Sequence, residues 1–385
     1  MSIETKLQEF AAIAANPKAQ YKKFKAEGKK VIACMPYYVP EELVYAADMV
    51  PMGLWGSNTK TITRAKEYCA SFYCSLVQLG LEMMLDGTLE GIDGVITPTM
   101  CDTLRPMSQN IKTVMGDKAI FLAHPQNRFK EAGVVFTMNQ YGEVKEKLEK
   151  IAGKEITNDA ILAAIKVYNK SRAARRRFVK LAGTYPEAIS AVNRSAVLKA
   201  AYFMDKKEYT EKLEALNEEL EALPVKKNDK VRVITSGIIC DNPNLLKLFD
   251  ENNMVIVADD VAHESRSFRT DVPEDEEDGM RALALQWKET GCDSILYDND
   301  PLHHSRSRHL IKMAKKTGAQ GVIMFITQFC DPEETDYPYT KRDLDIAALP
   351  LIRLGLDMQM RDFGQVSTSL QAFSAMMEEE KEYDW

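Results

Sequence analysis

The chain has 385 residues, with 50 basic and 57 acidic side chains and a formal net charge of −7. Hydrophobic residues make up 45% and charged residues 28%, values typical of globular proteins that argue against disorder and a membrane protein. The acidic balance argues against nucleic acid as the main partner, because phosphate binding requires a concentrated basic surface. We expect a cytoplasmic protein of two or three domains, since no secretory signal pattern or membrane-length apolar run is found.

The first part of the chain predicts a helical segment followed by an α/β domain. Residues 1–27 have a helical pattern, and KKVIACMPYYVPEELVYAADMVPMGLWG at 29–56 predicts a strand, a helix and a second strand. A long helix is predicted over 64–85. The segments GVITPTM and KAIFLAHP then predict two further strands, with the polar turn CDTLRPMSQN between them.

A helical middle segment and a second α/β domain follow. Residues 141–225 are rich in charged and helix-favouring residues, with few Gly or Pro breaks. From 226 the alternation of strands and helices restarts, with predicted strands at VRVITSGII, VIVADD, SILYDND, GVIMFIT and LPLIRLGLD. The predicted fold is therefore α/β with two doubly wound parallel sheets, in domains at 28–140 and 226–385 joined by helices at 141–225.

The two α/β parts contain similar segments. GVITPTMCD at 94–102 resembles GVIMFITQFCD at 321–331, and VIACMPYYVPEELV at 31–44 more weakly resembles VITSGIICDNPNLL at 233–246. Duplication and convergence on a common strand pattern both explain this. Each segment has a cysteine near the end of its strand, where open α/β sheets bind ligands. These cysteines are Cys34, Cys101, Cys240 and Cys330.

The seven cysteines indicate reduced thiols or metal ligands rather than a disulfide framework. Their number is odd, and no C-x-x-C pair supports a zinc ribbon or a thioredoxin-like site. The chain also lacks a dinucleotide-binding G-x-G-x-x-G, a P-loop and a G-x-S-x-G elbow. For any single cysteine, a buried apolar position is the simpler explanation.

Iron–sulfur chemistry is the main functional hypothesis, because thiolates are the ligands of such clusters. Cys101 and Cys330 can meet if the two α/β parts face one another. A third thiolate is available from the predicted helix at 64–85, which carries Cys69 and Cys74. Five residues on a helix separate them by about 140°, so only one faces a given site. The spacing does not choose between them.

Four segments carry a resemblance to a known family. PYYVPEELVYAADMVPMGLWG, FYCSLVQLGLEMMLDG, GVITPTMCDTLR and FCDPEE are similar in order and spacing to the beta-type subunit of 2-hydroxyacyl-CoA dehydratases, over nearly the whole chain. The resemblance implies two Rossmann-like halves facing across a cleft that holds a 4Fe-4S cluster. Carried across by motif, its ligands are Cys74, Cys101 and Cys330, and Cys69 is a bystander. One iron is then left with a non-protein ligand such as a small sulfur species, water or hydroxide.

The family chemistry implied by this resemblance is a reductive, oxygen-sensitive elimination of water from an (R)-2-hydroxyacyl-CoA. One low-potential electron converts the thioester carbonyl to a ketyl radical anion, which expels the hydroxide, makes the C3 proton acidic and leads to a 2-enoyl-CoA. The implied role of this subunit is electron relay or store, with substrate mainly on a homologous alpha-type partner. A separate ATP-dependent iron–sulfur activator is also implied, which fits the missing P-loop.

The preferred substrate is a branched 2-hydroxyacyl-CoA such as 2-hydroxyisocaproyl-CoA. Two alternatives stay open. One is a benzoyl-CoA reductase-type subunit, which shares fold and cluster but reduces an aromatic ring. The other is a metal-free scaffolding subunit in which every cysteine is structural.

Three other polar groups receive no catalytic or metal role. Glu41 and Glu42 are expected to stabilise the dipole of a helix N-terminus. A second group is expected at a solvated helix start: His303, His304 and His309 with Arg306 and Arg308. The third group is Arg172, Arg175, Arg176 and Arg177, which are able to grip CoA phosphates but are expected on a charged surface helix.

Overall fold

Two four-stranded parallel sheets form the centre of the protein. The computed structural model describes residues 2–35, 38–56, 61–300 and 304–383. The strands of the first sheet are β1 (Val31–Cys34), β2 (Val50–Gly53), β3 (Gly94–Pro98) and β4 (Ala119–Leu122), in the order β2-β1-β3-β4. Those of the second are β5 (Val231–Gly237), β6 (Met254–Val261), β7 (Gly321–Thr327) and β8 (Leu351–Leu356), in the order β6-β5-β7-β8. The predicted α/β fold with two doubly wound sheets is confirmed.

Helices flank both sheets and fill the segment between them. In chain order they are α1 (Ile3–Ala15), α2 (Pro17–Ala26), α3 (Glu41–Ala46), α4 (Ser75–Leu85), α5 (Leu104–Met115), α6 (Glu131–Ala152), α7 (Asn158–Thr184), α8 (Ala191–Ala200), α9 (Lys206–Glu221), α10 (Pro243–Glu251), α11 (Gly279–Glu289), α12 (Ser305–Thr317), α13 (Asp331–Ile346) and α14 (Gly364–Tyr383). Within the described residues, none of them combines the length and apolarity needed to cross a bilayer. The cytoplasmic location stays a prediction.

The two sheets have the same strand order and pair in the same way. Both segments of the stronger sequence pair form the third strand of their sheet, as β3 and β7, and both segments of the weaker pair contain the first strand, as β1 and β5. Every residue of β3 and β7 is buried, as expected for strands covered by helices on both faces. The similar segments therefore occupy equivalent places in the two sheets.

The helical middle segment joins the two halves through one hydrophobic core. Its helix α7 packs on strand β6 of the second sheet and on α3 of the first half. The hydrophobic cluster around it includes Trp55 and Leu79 from the first half, Phe178 and Leu213 from the middle segment, and Phe268 from the second half. The boundary predicted at 140/141 falls inside α6, whereas the one at 225/226 lies between α9 and β5.

The long helix predicted over 64–85 is wrong, because the chain folds back before it. A short 3₁₀ turn covers Arg64–Glu67, and α4 begins only at Ser75. The carboxylate of Glu82 on α4 accepts the backbone N–H groups of Thr63 and Ala65 at 3.0 and 2.8 Å, which fixes the turn against the helix. The helical angle between Cys69 and Cys74 therefore has no meaning here.

The strand predicted at SILYDND is also wrong. Residues 294–300 form turns and bends, and the second sheet passes from β6 to β7 through α11 and α12 instead. Side chains bind polar groups of this segment: Arg128 donates to the carbonyl of Tyr297 at 2.9 Å, and the Ser294 hydroxyl donates to Glu333 at 3.0 Å.

A glycine pair tests this architecture. Gly237 ends β5 at φ +145°, and a Cβ there would stand 2.4 Å from the carbonyl oxygen of Phe325 on β7. We expect Gly237→Ala to lower the free energy of unfolding by on the order of 3 kcal/mol, measured by urea titration. Gly142→Ala is the control: its Cβ meets nothing within 4 Å inside α6, so stability should rise by about 0.5–1 kcal/mol. Equal effects at the two positions would contradict the β5–β7 contact.

Candidate functional site

Three cysteines lie where a helix begins. Cys74 precedes α4, Cys101 lies just before α5 in the loop after β3, and Cys330 precedes α13 after β7. Burial raises the pKa of each thiol, and backbone N–H groups at the start of its own helix partly oppose this by donating to the sulfur. The donors are Leu76 and Val77 for the first, Thr103 and Leu104 for the second, and Glu333 for the third. A helix N-terminus favours the thiolate form that binds metal.

The three thiols share one site. Burial raises the pKa of Cys74 to about 11, and the charges of the neighbouring Cys101 and Asp357 act in the same direction. Burial is also the main cause of the raised pKa of Cys330, followed by the charge of Cys74, with Cys101 contributing as well. Thiolates that destabilise one another in this way lie close together. Cys74 and Cys330 belong to the hydrophobic cluster joining the two halves, and Cys101 packs against it.

The chemistry of this site fits an iron–sulfur cluster. Three thiolates at this place would repel one another, and positively charged iron would remove that repulsion while accepting the soft sulfur ligands that such clusters require. Among the described residues, no three His, Cys, Asp or Glu side chains converge tightly enough to bind one metal ion. A cluster places its thiolates on different iron atoms, so its ligands stand further apart than those of a single ion.

Three other cysteines have neighbours that differ from those of this site. Cys69 donates its thiol to the carbonyl of Ala65 at 3.0 Å, and burial alone raises its pKa. The charges that act on Cys34 are those of Glu41 and Lys206. Cys240 lies beside Glu264 and Asp241. Of the four cysteines that follow strands in the sequence, the structure brings together only Cys101 and Cys330.

A buried ion-pair network supports the start of α13. The carboxylate of Glu333, whose N–H points at Cys330, is bound by Arg266 at 3.3 Å and by Arg306 at 3.0 Å. Arg306 also binds Asp260 at 3.0 Å and Asp336 at 2.7 Å. All of these groups are buried. The thiol of Cys330 is thus held on a helix turn that two arginines fix in place.

The solvated helix start predicted around the histidines is wrong for Arg306 and His304. Arg306 is among the most deeply buried side chains, and the imidazole of His304 bridges Asp336 at 2.7 Å and Ser307 at 2.5 Å. His309 lies apart from them, against Arg269. Arg308 is exposed as expected, and His303 lies outside the described residues. The acidic partners come from two separate segments, β6 and α13, so the local sequence does not reveal this pairing.

Two of the four arginines on α7 are buried, against the prediction of a surface helix. Arg176 and Arg177 do pair with exposed carboxylates, those of Asp271 and Glu221. Arg172 and Arg175 instead face the protein interior, because buried residues on α7 recur every three or four positions and include both. The i, i+3 spacing of Arg172 and Arg175 within SRAARRR is the sequence feature that indicates their burial.

Glu41 and Glu42 also have specific partners beyond the helix dipole. Glu42 is buried and forms an ion pair with Arg172. Glu41 accepts the hydroxyl of Tyr168 at 3.1 Å and pairs with Lys206 at 3.2 Å. Their role is therefore to bind the helical middle segment to the first half.

Fold and site together define a two-halved α/β protein with a buried three-cysteine site where the halves meet. A family model described as "2-hydroxyglutaryl-CoA dehydratase, D-component" matches residues 36–377. The chain is 57% identical to the beta subunit of (R)-2-hydroxyglutaryl-CoA dehydratase from Acidaminococcus fermentans, over 97% of this chain and 99% of that protein. It is 44% identical to the beta subunit of (R)-phenyllactyl-CoA dehydratase from Clostridium sporogenes, over 95% and 97%. One of the subunits of benzoyl-CoA reductase from Thauera aromatica is 28% identical, over 80% and 81%.

The chain belongs to the 2-hydroxyglutaryl-CoA dehydratase D-component family. The resemblance to beta-type subunits of 2-hydroxyacyl-CoA dehydratases, inferred from four segments and three cysteines, is confirmed.

The buried ion-pair network at the start of α13 leads to a prediction about stability. Arg306→Leu leaves Asp260, Glu333 and Asp336 without their shared cation in a buried place, so we expect a loss of about 3–5 kcal/mol in the free energy of unfolding. Arg308→Leu, on the same helix but exposed, should cost at most about 1 kcal/mol. Urea unfolding of both variants measures this, and similar losses in the two would show that burial of the network is not the cause.

Proposed function

We propose that the chain is the iron–sulfur beta subunit of a 2-hydroxyacyl-CoA dehydratase, with a 4Fe-4S cluster bound by Cys74, Cys101 and Cys330. The observation that carries this is the meeting of three thiols from distant segments at three helix N-termini in one buried site. With three protein ligands, one iron keeps a non-protein ligand, for which a small sulfur species, water or hydroxide are the candidates. Family membership supports the dehydratase assignment.

A bound cluster would supply one-electron storage at low potential, and the chain supplies its surroundings. The apolar cluster excludes water from Cys74 and Cys330, while the N–H groups of the first helical turns donate toward the sulfurs. Hydrogen bonds to the sulfurs and burial are the means by which a protein sets a cluster potential.

The site has one open side. A groove of about 460 Å³ runs past Cys101, between Arg105 and the start of α13 at Asp331. Cys101 is also less buried than the other two thiols. We propose this open side as the route by which an electron passes between the cluster and a partner.

The proposed enzyme is a hetero-oligomer. The relatives are named as beta subunits, so we propose an alpha-type partner that holds most of the substrate, and a separate ATP-dependent iron–sulfur activator. The identity of 57% to a subunit of (R)-2-hydroxyglutaryl-CoA dehydratase favours (R)-2-hydroxyglutaryl-CoA as the substrate, in place of the branched thioester preferred from sequence. Benzoyl-CoA reduction is the weaker alternative, because that relative is 28% identical.

Cysteine variants test the cluster assignment. Cys74→Ala, Cys101→Ala and Cys330→Ala should each remove most of the iron and acid-labile sulfide of the anaerobically purified protein, because each deletes a ligand. Cys69→Ala is the control, since its thiol bonds only to the carbonyl of Ala65, and it should keep the full content. Iron and sulfide assays with electron paramagnetic resonance measure the result. A wild-type chain without iron would leave only the metal-free scaffold.

The substrate assignment is tested with the assembled, activated complex. We expect (R)-2-hydroxyglutaryl-CoA to show the highest kcat/KM, 2-hydroxyisocaproyl-CoA a lower one, and benzoyl-CoA no reduction of its ring. Product analysis of each thioester by mass spectrometry is the measurement. Ring reduction without dehydration would move the enzyme to the reductase class.

A further inference from the structure

A partly enclosed cavity lies between the helical middle segment and the two halves, and none of the three thiols lines it. Its volume is about 90 Å³. The walls come from the loop between β1 and α3, from α7 and α9, from the turn after β6, and from α11. The polar residues used below are Glu41, Glu42, Arg172, Arg175, Lys206 and Trp287, which all line it. Nothing in the proposed dehydratase chemistry uses this space.

The charges around the cavity do not balance. Arg172 pairs with Glu42, and Lys206 pairs with Glu41 at 3.2 Å. Arg266, which also lines the cavity, binds three carboxylates outside it. Among the residues that the structure describes, Arg175 has no carboxylate within 4 Å, although only 4% of the residue is exposed. One buried positive charge is left over.

The contacts of Arg175 do not replace a negative partner. Its Nε donates to the carbonyl of Ser171 at 3.4 Å and its Nη1 to the hydroxyl of Ser267 at 3.4 Å, both long bonds. The guanidinium also lies 4.8 Å from the ring of Phe268. Its charge acts on Lys206, so the two cations repel each other across this region. A buried cation of this kind is unfavourable without an anion.

Two buried donors at the cavity wall also lack an acceptor within the described part of the chain. They are Nε of Arg172 and Nε1 of Trp287, in residues 5% and 4% exposed. Both groups donate and neither accepts a hydrogen bond. Buried donors are nearly always satisfied in folded proteins, so a group that supplies acceptor oxygens belongs here.

We propose that this cavity binds one small oxyanion, either inorganic phosphate or a short carboxylate. The unpaired Arg175 supplies the charge, and Arg172 and Trp287 supply directed donors, with Lys206 beside them. Since a water molecule needs about 10–15 Å³ of such space, the volume is sufficient for a small polyatomic ion. Water molecules would accept hydrogen bonds from these donors but would not neutralise the charge of Arg175. The proposal holds whether or not a cluster is bound.

Isothermal titration calorimetry on the full-length chain tests the site, in a zwitterionic buffer without added salt. Inorganic phosphate and acetate are titrated separately. We expect one saturable site per chain for at least one of them, weakened at least about tenfold in Arg175→Met and in Trp287→Phe, each of which removes one interaction with the anion. Trp287→Phe keeps an aromatic ring in place, so it separates loss of a donor from loss of fold. Thermal unfolding verifies that both variants are folded.

Arg177→Met is the matched control, because Arg177 lies on the same helix but pairs with exposed Glu221. It should bind the anion as the wild type does. If only phosphate binds, the ligand of the site is a phosphate. If only acetate binds, the ligand is a carboxylate. Absence of binding by both anions in the wild type, or equal weakening in Arg177→Met, overturns the proposal.

Discussion

The structure depends on the burial of three thiols together at the junction of its two halves. Each thiol alone would be a tolerable apolar group, but three at one place repel as soon as they ionise. A positively charged group between them would remove the repulsion that arises when they ionise. The helices that start at these cysteines belong to different segments, so metal binding there would tie α4, α5 and α13 to one point.

The ion pairs around the second sheet complement this junction. Arg306 and Arg266 share Asp260 and Glu333, and Glu333 lies in the first turn of the helix that begins after Cys330. Arg266 also lines the anion cavity. Arg266 therefore connects the wall of this cavity with Glu333 at the start of α13.

Relatives that differ in acyl group align with almost the whole chain. The dehydratase relatives carry names for 2-hydroxyglutaryl and phenyllactyl thioesters, and a benzoyl-CoA reductase subunit matches over 80% of the chain.

The sequence by itself determined the class of fold, because buried parallel strands are continuous apolar runs and their Cys-Asp turns repeat in both halves. It also determined which cysteines to consider, through thiol chemistry and the family pattern. It misplaced the helix before Cys74 and the strand at SILYDND, where side chains from distant segments bind the backbone.

Only the tertiary structure determined which charged groups are buried and which partners they have. Arg172, Arg175 and Arg306 lie in segments whose composition is that of a solvated surface, yet all three are buried. Their partners are remote in sequence, as with Glu42 for Arg172 and Asp260 for Arg306. Local patterns report hydrophobic periodicity, whereas burial of a charge depends on which opposite charges the fold brings to it, and that requires the complete three-dimensional arrangement.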